Sequence, residues 1–483
     1  MVQLDLPVLR LMSSRIIAAT FATSLLAGCA LTPLPTHQTI VDDALPKMTL
    51  IPSNWSADRQ AAQVADDWLN SFNDPVLDAL VAEAIANNLD LRQAAEKVAI
   101  ARQVVIIAGA SLQPHVGAAL GGRKTRDADQ DSAFDSSSVS ASIGWELDVW
   151  GRVRAQRSAA ESEAEAVALD YAYARQSLAA TTAKLWYLAS TARQLLAVEE
   201  QAVAVYDRQL SLVKTRRSAG KESNLDVVET QAKLAEAGSE LESARQIYGE
   251  TQRALELLLG RYPAAEIEAS PGFGALPPAP GAGIAGALLE RRPDIIAAER
   301  MVLASFRLQE SAELALLPAF SFSLTGGRID SGILSLLRLN PWLASAAIGV
   351  SIPIYEGGAL NAKVAIATAQ QAKAVAKYGA VALAAFAEVE NGLANEELLA
   401  KRIPLIDEAL RNQTEALQIA TIQYVAGRRD LLWVSNIQTG QLGYEALGIK
   451  LRGAQQTNRI QLLLVLGGAF NKVPPQPVSM KKE

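Results

Sequence analysis

The chain has 483 residues, 50% of them hydrophobic but only 5% aromatic, so alanine and the aliphatic residues supply most of the apolar content. That balance favours long helices over bulky mixed cores. A net charge of −6 from 45 basic and 51 acidic residues gives no footprint for nucleic acid, one Cys excludes a disulfide framework, a cysteine zinc site or an iron–sulfur cluster, and two His (His37, His115) leave little for histidine chemistry.

Residues 1–28 have the form of a secretion signal, with Arg10 and Arg15 ahead of a short apolar run from Ile16 to Leu26. The run is shorter than the ~20 apolar residues a transmembrane helix needs. It ends in Leu26-Ala27-Gly28-Cys29, which resembles the bacterial lipobox, where the signal is cut before a Cys that is then lipidated. A lone cysteine is ordinarily a buried small hydrophobe. Here the Pro-rich stretch Thr32-Pro33-Leu34-Pro35 follows and offers nothing to bury it. Ala30, where Asp would mark retention, resembles the outer-membrane sorting choice. Residues 29–67 are read as a lipidated linker, held by several acyl chains where one would be marginal.

The rest of the chain is one plan written twice. Asp90 and Pro114 recur as Asp294 and Pro318, Gly144 as Gly349, Ala219-Gly220 as Ala426-Gly427, and Leu259-Gly260 as Leu466-Gly467. A repeat at this spacing sets the architecture, with a first unit over 68–260, a joining segment over 261–285, a second unit over 286–467 and a tail over 468–483.

Each unit opens with two alternating segments, about 114–122 and 138–149, then about 318–326 and 345–355. In the clearest, Val139, Ala141, Ile143, Trp145, Leu147 and Val149 face one way and Ser138, Ser140, Ser142, Gly144, Glu146 and Asp148 the other. A membrane strand needs about 9–11 residues, yet four strands fall short of the roughly eight of the smallest bacterial barrels. An open edge cannot sit in lipid, so spanning strands would require several chains to share one barrel. Residues 123–137 and 327–344 are then the connections on the outer side.

Very long helices follow, about 152–218 and 224–259, then 359–424 and 431–466. The first, free of Pro and Gly, would run roughly 100 Å at ~1.5 Å per residue. In the returning helix Val227, Leu234, Leu241, Tyr248 and Leu255 recur every seven residues, with Thr230, Ala237, Ala244, Thr251 and Leu258 three later, a seam with small d positions. Pro404 should bend the second long helix, and Gly379 and Gly392 should weaken it.

These features, with Trp68-Leu69-Asn70-Ser71-Phe72-Asn73-Asp74-Pro75, Glu290-Arg291-Arg292-Pro293-Asp294 and Pro353-Ile354-Tyr355-Glu356-Gly357-Gly358, resemble the TolC-like outer-membrane efflux proteins in their NodT-type lipoprotein branch. The fold class this implies is mainly α with a small β part: a homotrimer whose 12-stranded barrel continues into an α-helical barrel, with a mixed equatorial girdle. The implied role is the exit duct of a tripartite efflux system, anchored in the outer membrane and reaching into the periplasm. The implied partners are a periplasmic adaptor and an inner-membrane transporter of the RND type, with no enzyme activity and no cofactor beyond the lipid on Cys29.

The resemblance makes the turns around Arg217, Ala219, Gly220 and Lys221 and around Ala426, Gly427 and Arg428 the adaptor-docking tips. Lys214, Arg216 and Arg429 add to their positive charge. The family often rings its pore with acidic residues after the second tip; here those positions are Trp433 and Asn436. The matching first-repeat positions are Asp226 and Glu229. Leu432, Trp433 and Asn436 are therefore the steric constriction candidates, and Asp226 and Glu229 the source of any negative field.

Gly281-Ala282-Gly283-Ile284-Ala285-Gly286 spells G-x-G-x-x-G, but a Pro-rich linker precedes it where a dinucleotide site needs a strand. His115, beside Pro114, reads as structural. The rival from another class is a lipid-anchored periplasmic adaptor or coiled-coil scaffold, which would carry compact β modules instead of strands leading directly into long helices.

Overall fold

The computed structural model describes residues 31–52, 54–56, 66–127, 132–330 and 342–469. Cys29, the signal and the tail beyond residue 469 lie outside them. A short α1 (His37–Ala44) is followed by α2 (Pro75–Asn87) and α3 (Leu89–Ala110), then β1 (His115–Asp127) and β2 (Ser132–Leu147). The long α4 (Arg152–Ser218) and α5 (Asn224–Leu258) complete the first repeat. The second has α6 (Leu288–Arg291), α7 (Pro293–Leu314), β3 (Ala319–Asp330), β4 (Leu343–Ser351), α8 (Ala359–Val425) and α9 (Leu431–Val465). The repeat is written in element lengths: α3 and α7 have 22 residues each, α4 and α8 67, and α5 and α9 35. No helix among the described residues is long and apolar enough to cross a membrane. The compact units do not follow the repeats, because each repeat contributes chain to both.

One unit, formed by residues 1–48, 97–168 and 297–380, holds the sheet. Its strands run antiparallel in the order β1-β2-β3-β4. The register lines up like with like. Val116 stands opposite Ile143, Ile143 opposite Leu324, and Leu324 opposite Ala346; Trp145, Phe322 and Ile348 form the next apolar row. Gly117, Ser142, Thr325 and Ser345 make a polar row on the other face. A slip of one residue would send every apolar side chain to the polar face, so this pattern fixes the pairing. His115 lies opposite Gly144 and its imidazole covers the glycine, where any Cβ would collide with the ring.

Strand bounds differ from the alternation. The ladder runs on through Asp127 and begins again at Ser132, inside the stretch read as the 123–137 connection. Backbone pairing needs no apolar side chain, so alternation reports the greasy band and not the full strand. At the other end β2 stops at Leu147, short of Val149, because Asp148 turns to cap the long helix. Its carboxylate accepts from the Val153 N–H at 2.9 Å and the Arg154 N–H at 3.0 Å, and Trp150 Nε1 donates to the Pro318 carbonyl at 2.8 Å. The strand-to-helix joint is thereby fixed from both repeats.

The other unit, residues 49–96, 169–296 and 381–483, contains the main core. Trp68, Phe72 and Leu77 pack on Ala179, Ala183 and Tyr187 of α4 together with Leu255, Leu259 and Leu463. Alanines on α4 give the bulky aromatic groups room. Asp74 caps α2 through the Val76 and Leu77 N–H groups and also accepts from Trp186 Nε1 at 2.8 Å, tying the cap to the long helix. Residues 261–284 are irregular and send Ile267 and Ala269 into this core, and the G-x-G-x-x-G stretch has no strand before it. Of the heptad positions on α5, Val227, Thr230, Ala237 and Leu255 are buried and the others are half-buried.

α8 is continuous through Pro404. Its glycines, read as weak points, are close-approach sites. Gly379 lies beneath the Ala44 carbonyl at the end of α1, and a Cβ on Gly392 would stand 3.0 Å from Leu462 Cδ1.

Candidate functional site at the helix turns

Both long helices stop by the same device. Gly220 and Gly427 take φ of +71°, and the next N–H reaches back to an unsatisfied carbonyl, Lys221 to Arg216 and Arg428 to Gln423, each at 2.9 Å. This is the Schellman closure that glycine permits and a side chain resists. The returning helices are then capped differently. Ser223 and Asp226 form a reciprocal capping box on α5, while Asp430 alone caps α9 by accepting from the Trp433 N–H at 2.9 Å.

Asp226 is thus engaged in the box: its carboxylate accepts from the Ser223 N–H at 2.8 Å and the Ser223 hydroxyl at 2.6 Å. Those hydrogen bonds hold its pKa below the ordinary aspartate value. Asp226 and Glu229 line a groove of about 310 Å³ with Lys233, Glu236, Leu432 and Ser435. Trp433 lies elsewhere. It packs with Ile437 on a cluster of Leu210, Val213, Val227, Tyr424 and Val434, and the Arg429 guanidinium covers its ring at 4.7 Å. Leu432 and Asn436 are exposed. Leu432 therefore shares a groove with the first-repeat carboxylates, whereas Trp433 helps to hold the turns together.

The docking-tip residues Arg217, Ala219, Gly220, Lys221, Ala426, Gly427 and Arg428 are all exposed, as is Val425, an apolar side chain at the very end of α8. Arg216 is drawn inward. Its Nε donates to Glu222 Oε1 at 2.9 Å, the Tyr424 hydroxyl donates to the same oxygen at 3.0 Å, and the guanidinium covers the Tyr424 ring at 4.5 Å. Burial first, then the bond to Glu222, pushes the Tyr424 phenol up to about 12. Sequence reasoning missed this link between the two turns. Its one signal was Glu222, a lone acid among Lys214, Arg216, Arg217 and Lys221.

Known proteins place this geometry. The sequence profile described as outer membrane efflux protein matches residues 80–261 and 284–468, so the chain belongs to that family. The pyoverdine export outer membrane protein OpmQ of Pseudomonas aeruginosa is 29% identical over 475 residues, covering 95% of this chain and 98% of its own. A crystal structure of a membrane protein from Pseudomonas aeruginosa is 27% identical, with a TM-score of 0.80 over 91% of this chain and 99% of its own. The Campylobacter jejuni CmeC outer membrane channel, at 18% identity, shares the fold with a TM-score of 0.82 over 89% of this chain and 96% of its own. The protein is an outer-membrane efflux protein with the TolC-like tandem-repeat fold.

Proposed function

We propose that three copies of this chain assemble one exit duct of a tripartite efflux system. The observation that carries this is the sheet: β1 and β4 are its outer strands, and Leu120 (82% exposed) and Ile348 (76% exposed) lay apolar side chains bare on one and the same face. Three such sheets edge to edge make a 12-stranded barrel, the arrangement that satisfies the strand edges in lipid. The long helices of the three chains would then wall the periplasmic part of the duct. Cys29 carries the lipid, the exposed basic turns receive a periplasmic adaptor, and an RND-type inner-membrane pump supplies the energy. The duct is a passive conduit and not an enzyme, and it needs no cofactor beyond its lipid.

Separation of outer and inner membranes tests the assembly. A heat-modifiable trimer in the outer-membrane fraction is the expected result; a monomer, or an inner-membrane location, would overturn it. Radiolabelled palmitate incorporated in the native chain and absent from Cys29→Ala tests the anchor.

A further inference from the structure

A second groove, of about 430 Å³, lies in the unit that holds the main core, between α4, α8 and α9. Among the described residues two cations line it, Lys184 from α4 and Arg402 from α8, and no carboxylate does. Asn395, Thr457 and Gln461 add polar groups, and Leu398, Leu399 and Ala454 add apolar surface. The Lys184 ammonium is half-buried, and its recorded hydrogen bond goes to the neutral amide of Gln461. Burial pulls its pKa below the ordinary lysine value. The carboxylates nearby are committed elsewhere: Glu388 to Arg292, Glu396 to Arg459 and Glu397 to Lys401. Among the described residues, no carboxylate lies within ion-pair distance of Lys184 or Arg402. Lys184 feels the charge of Glu388, but that carboxylate is paired with Arg292, so the partly desolvated ammonium is only weakly compensated and an arriving anion would lower the cost.

The groove's orientation follows from the helix period. On α9, Gln456 donates to the Gly274 carbonyl at 3.2 Å and Arg459 to the Pro277 carbonyl, so these residues face the linker between the repeats. On α4, Trp186 and Arg193 likewise face Asp74 and the Ala269 carbonyl. At 3.6 residues per turn, Ala454, Thr457 and Gln461 on α9 and Lys184 on α4 fall on the opposite side of their helices.

We propose that this groove is a binding station for small amphipathic organic carboxylates, with Lys184 and Arg402 taking the carboxylate and Leu398, Leu399 and Ala454 the apolar part. The volume suits a one- or two-ring acid, and a few polar groups set in apolar walls is how such sites are built. On the duct reading, on which this part rests, the face turned from the linker is the lumen, so three copies place six cations along the path of the cargo.

The test uses the full-length acylated protein in lipid nanodiscs, with benzoate as probe and benzamide as its neutral counterpart, read by saturation-transfer NMR. Benzoate is expected to bind and benzamide not to. Lys184→Met and, independently, Arg402→Gln should each weaken benzoate about tenfold or more, the scale of a charge-assisted contact. Arg411→Gln, exposed and outside the groove, should leave binding unchanged. Equal binding of benzamide, or benzoate binding indifferent to both substitutions, overturns the station. Reversal potentials under a sodium benzoate gradient in planar bilayers separate the two readings. Pores whose potential is less anion-favouring in the double variant support both. Pores with identical potentials in the native and double-variant proteins overturn the station and leave the duct standing. Failure to form pores, with benzoate binding still dependent on Lys184 and Arg402, overturns the duct and keeps the groove.

Discussion

Glu256 shows how much one side chain can organise. It is 2% exposed, and burial alone would raise its pKa. The Ala265, Glu266 and Ile267 N–H groups donate to its carboxylate at 2.7, 2.6 and 3.1 Å and hold it below the ordinary glutamate value instead. The start of the linker between the repeats is therefore ordered by a charge, and Glu256→Gln is expected to cost on the order of 2 kcal/mol, as lost hydrogen bonds to a buried carboxylate do. Because the folded pKa is depressed, this stabilisation is present above the ordinary glutamate pKa and is lost as the pH falls through the folded value. Hydrogen exchange of the 265–267 amides should accelerate in Glu256→Gln at neutral pH and in the native chain only on acidification; protection unchanged in the variant would remove Glu256 from this role. Trp433 and Leu432, adjacent in sequence, should separate in the same way. Trp433→Ala empties packing against Val434 and Tyr424 and removes the platform under Arg429, a loss of roughly 3 kcal/mol. Leu432→Ala, at an exposed position, should stay within about 0.5 kcal/mol. Limited proteolysis at the second turn would rise in the first variant and not in the second.

At the scale of elements, the legible features were those written in local periodicity. Helix α4 starts at Arg152, where the stretch free of Pro and Gly starts, and ends at Ser218, one residue before that stretch does, because the Gly220 backbone reverses the chain there. The apolar rows of the sheet could be anticipated from Ser138 to Val149 alone. What the sequence hid were contacts between distant segments: Tyr424 with Glu222, Trp186 with Asp74, and Ala44 over Gly379. No period links such positions, and a glycine serving close approach looks the same in sequence as one that loosens a helix. The same blindness merged Trp433 with Leu432, since one-residue spacing on a helix turns a side chain by ~100°. Gly379 offers the check. Gly379→Val would drive a side chain into the Ala44 carbonyl and displace α1, at about 1–3 kcal/mol. The α1 amides would then lose exchange protection while those flanking residue 379 in α8 keep theirs; protected α1 amides in the variant would show that the close approach is not needed.

For the whole molecule, the open sheet edges are the decisive constraint. Among the described residues β1 pairs only with β2, and β4 only with β3, so each chain carries two edge strands with a row of unpaired backbone N–H and C=O groups. In hydrocarbon each unpaired group costs several kcal/mol, a penalty far beyond what the exposed side chains could offset. Pairing β1 of one copy with β4 of the next removes the penalty, and it predicts a contact that oxidation can capture. Single cysteines introduced in turn along β1 from Val116 to Gly122, each combined with one on β4 from Ala344 to Val350, should cross-link between chains at one register and not at its neighbours. On denaturing gels the products would form a ladder that stops at the trimer, because a closed ring has no further edge to offer. A ladder that climbs past the trimer would mean an open chain of sheets, and cross-links confined within single chains would mean that β1 and β4 close on each other. A charge placed on the same sheet gives an independent reading: Leu120→Arg, on the exposed apolar face, should cost about 2–4 kcal/mol if that face meets the bilayer midplane and should deplete the trimer from the outer membrane. The same arginine at Ser142, in the polar row of β2, should leave assembly intact, since only the apolar row is asked to lie against lipid.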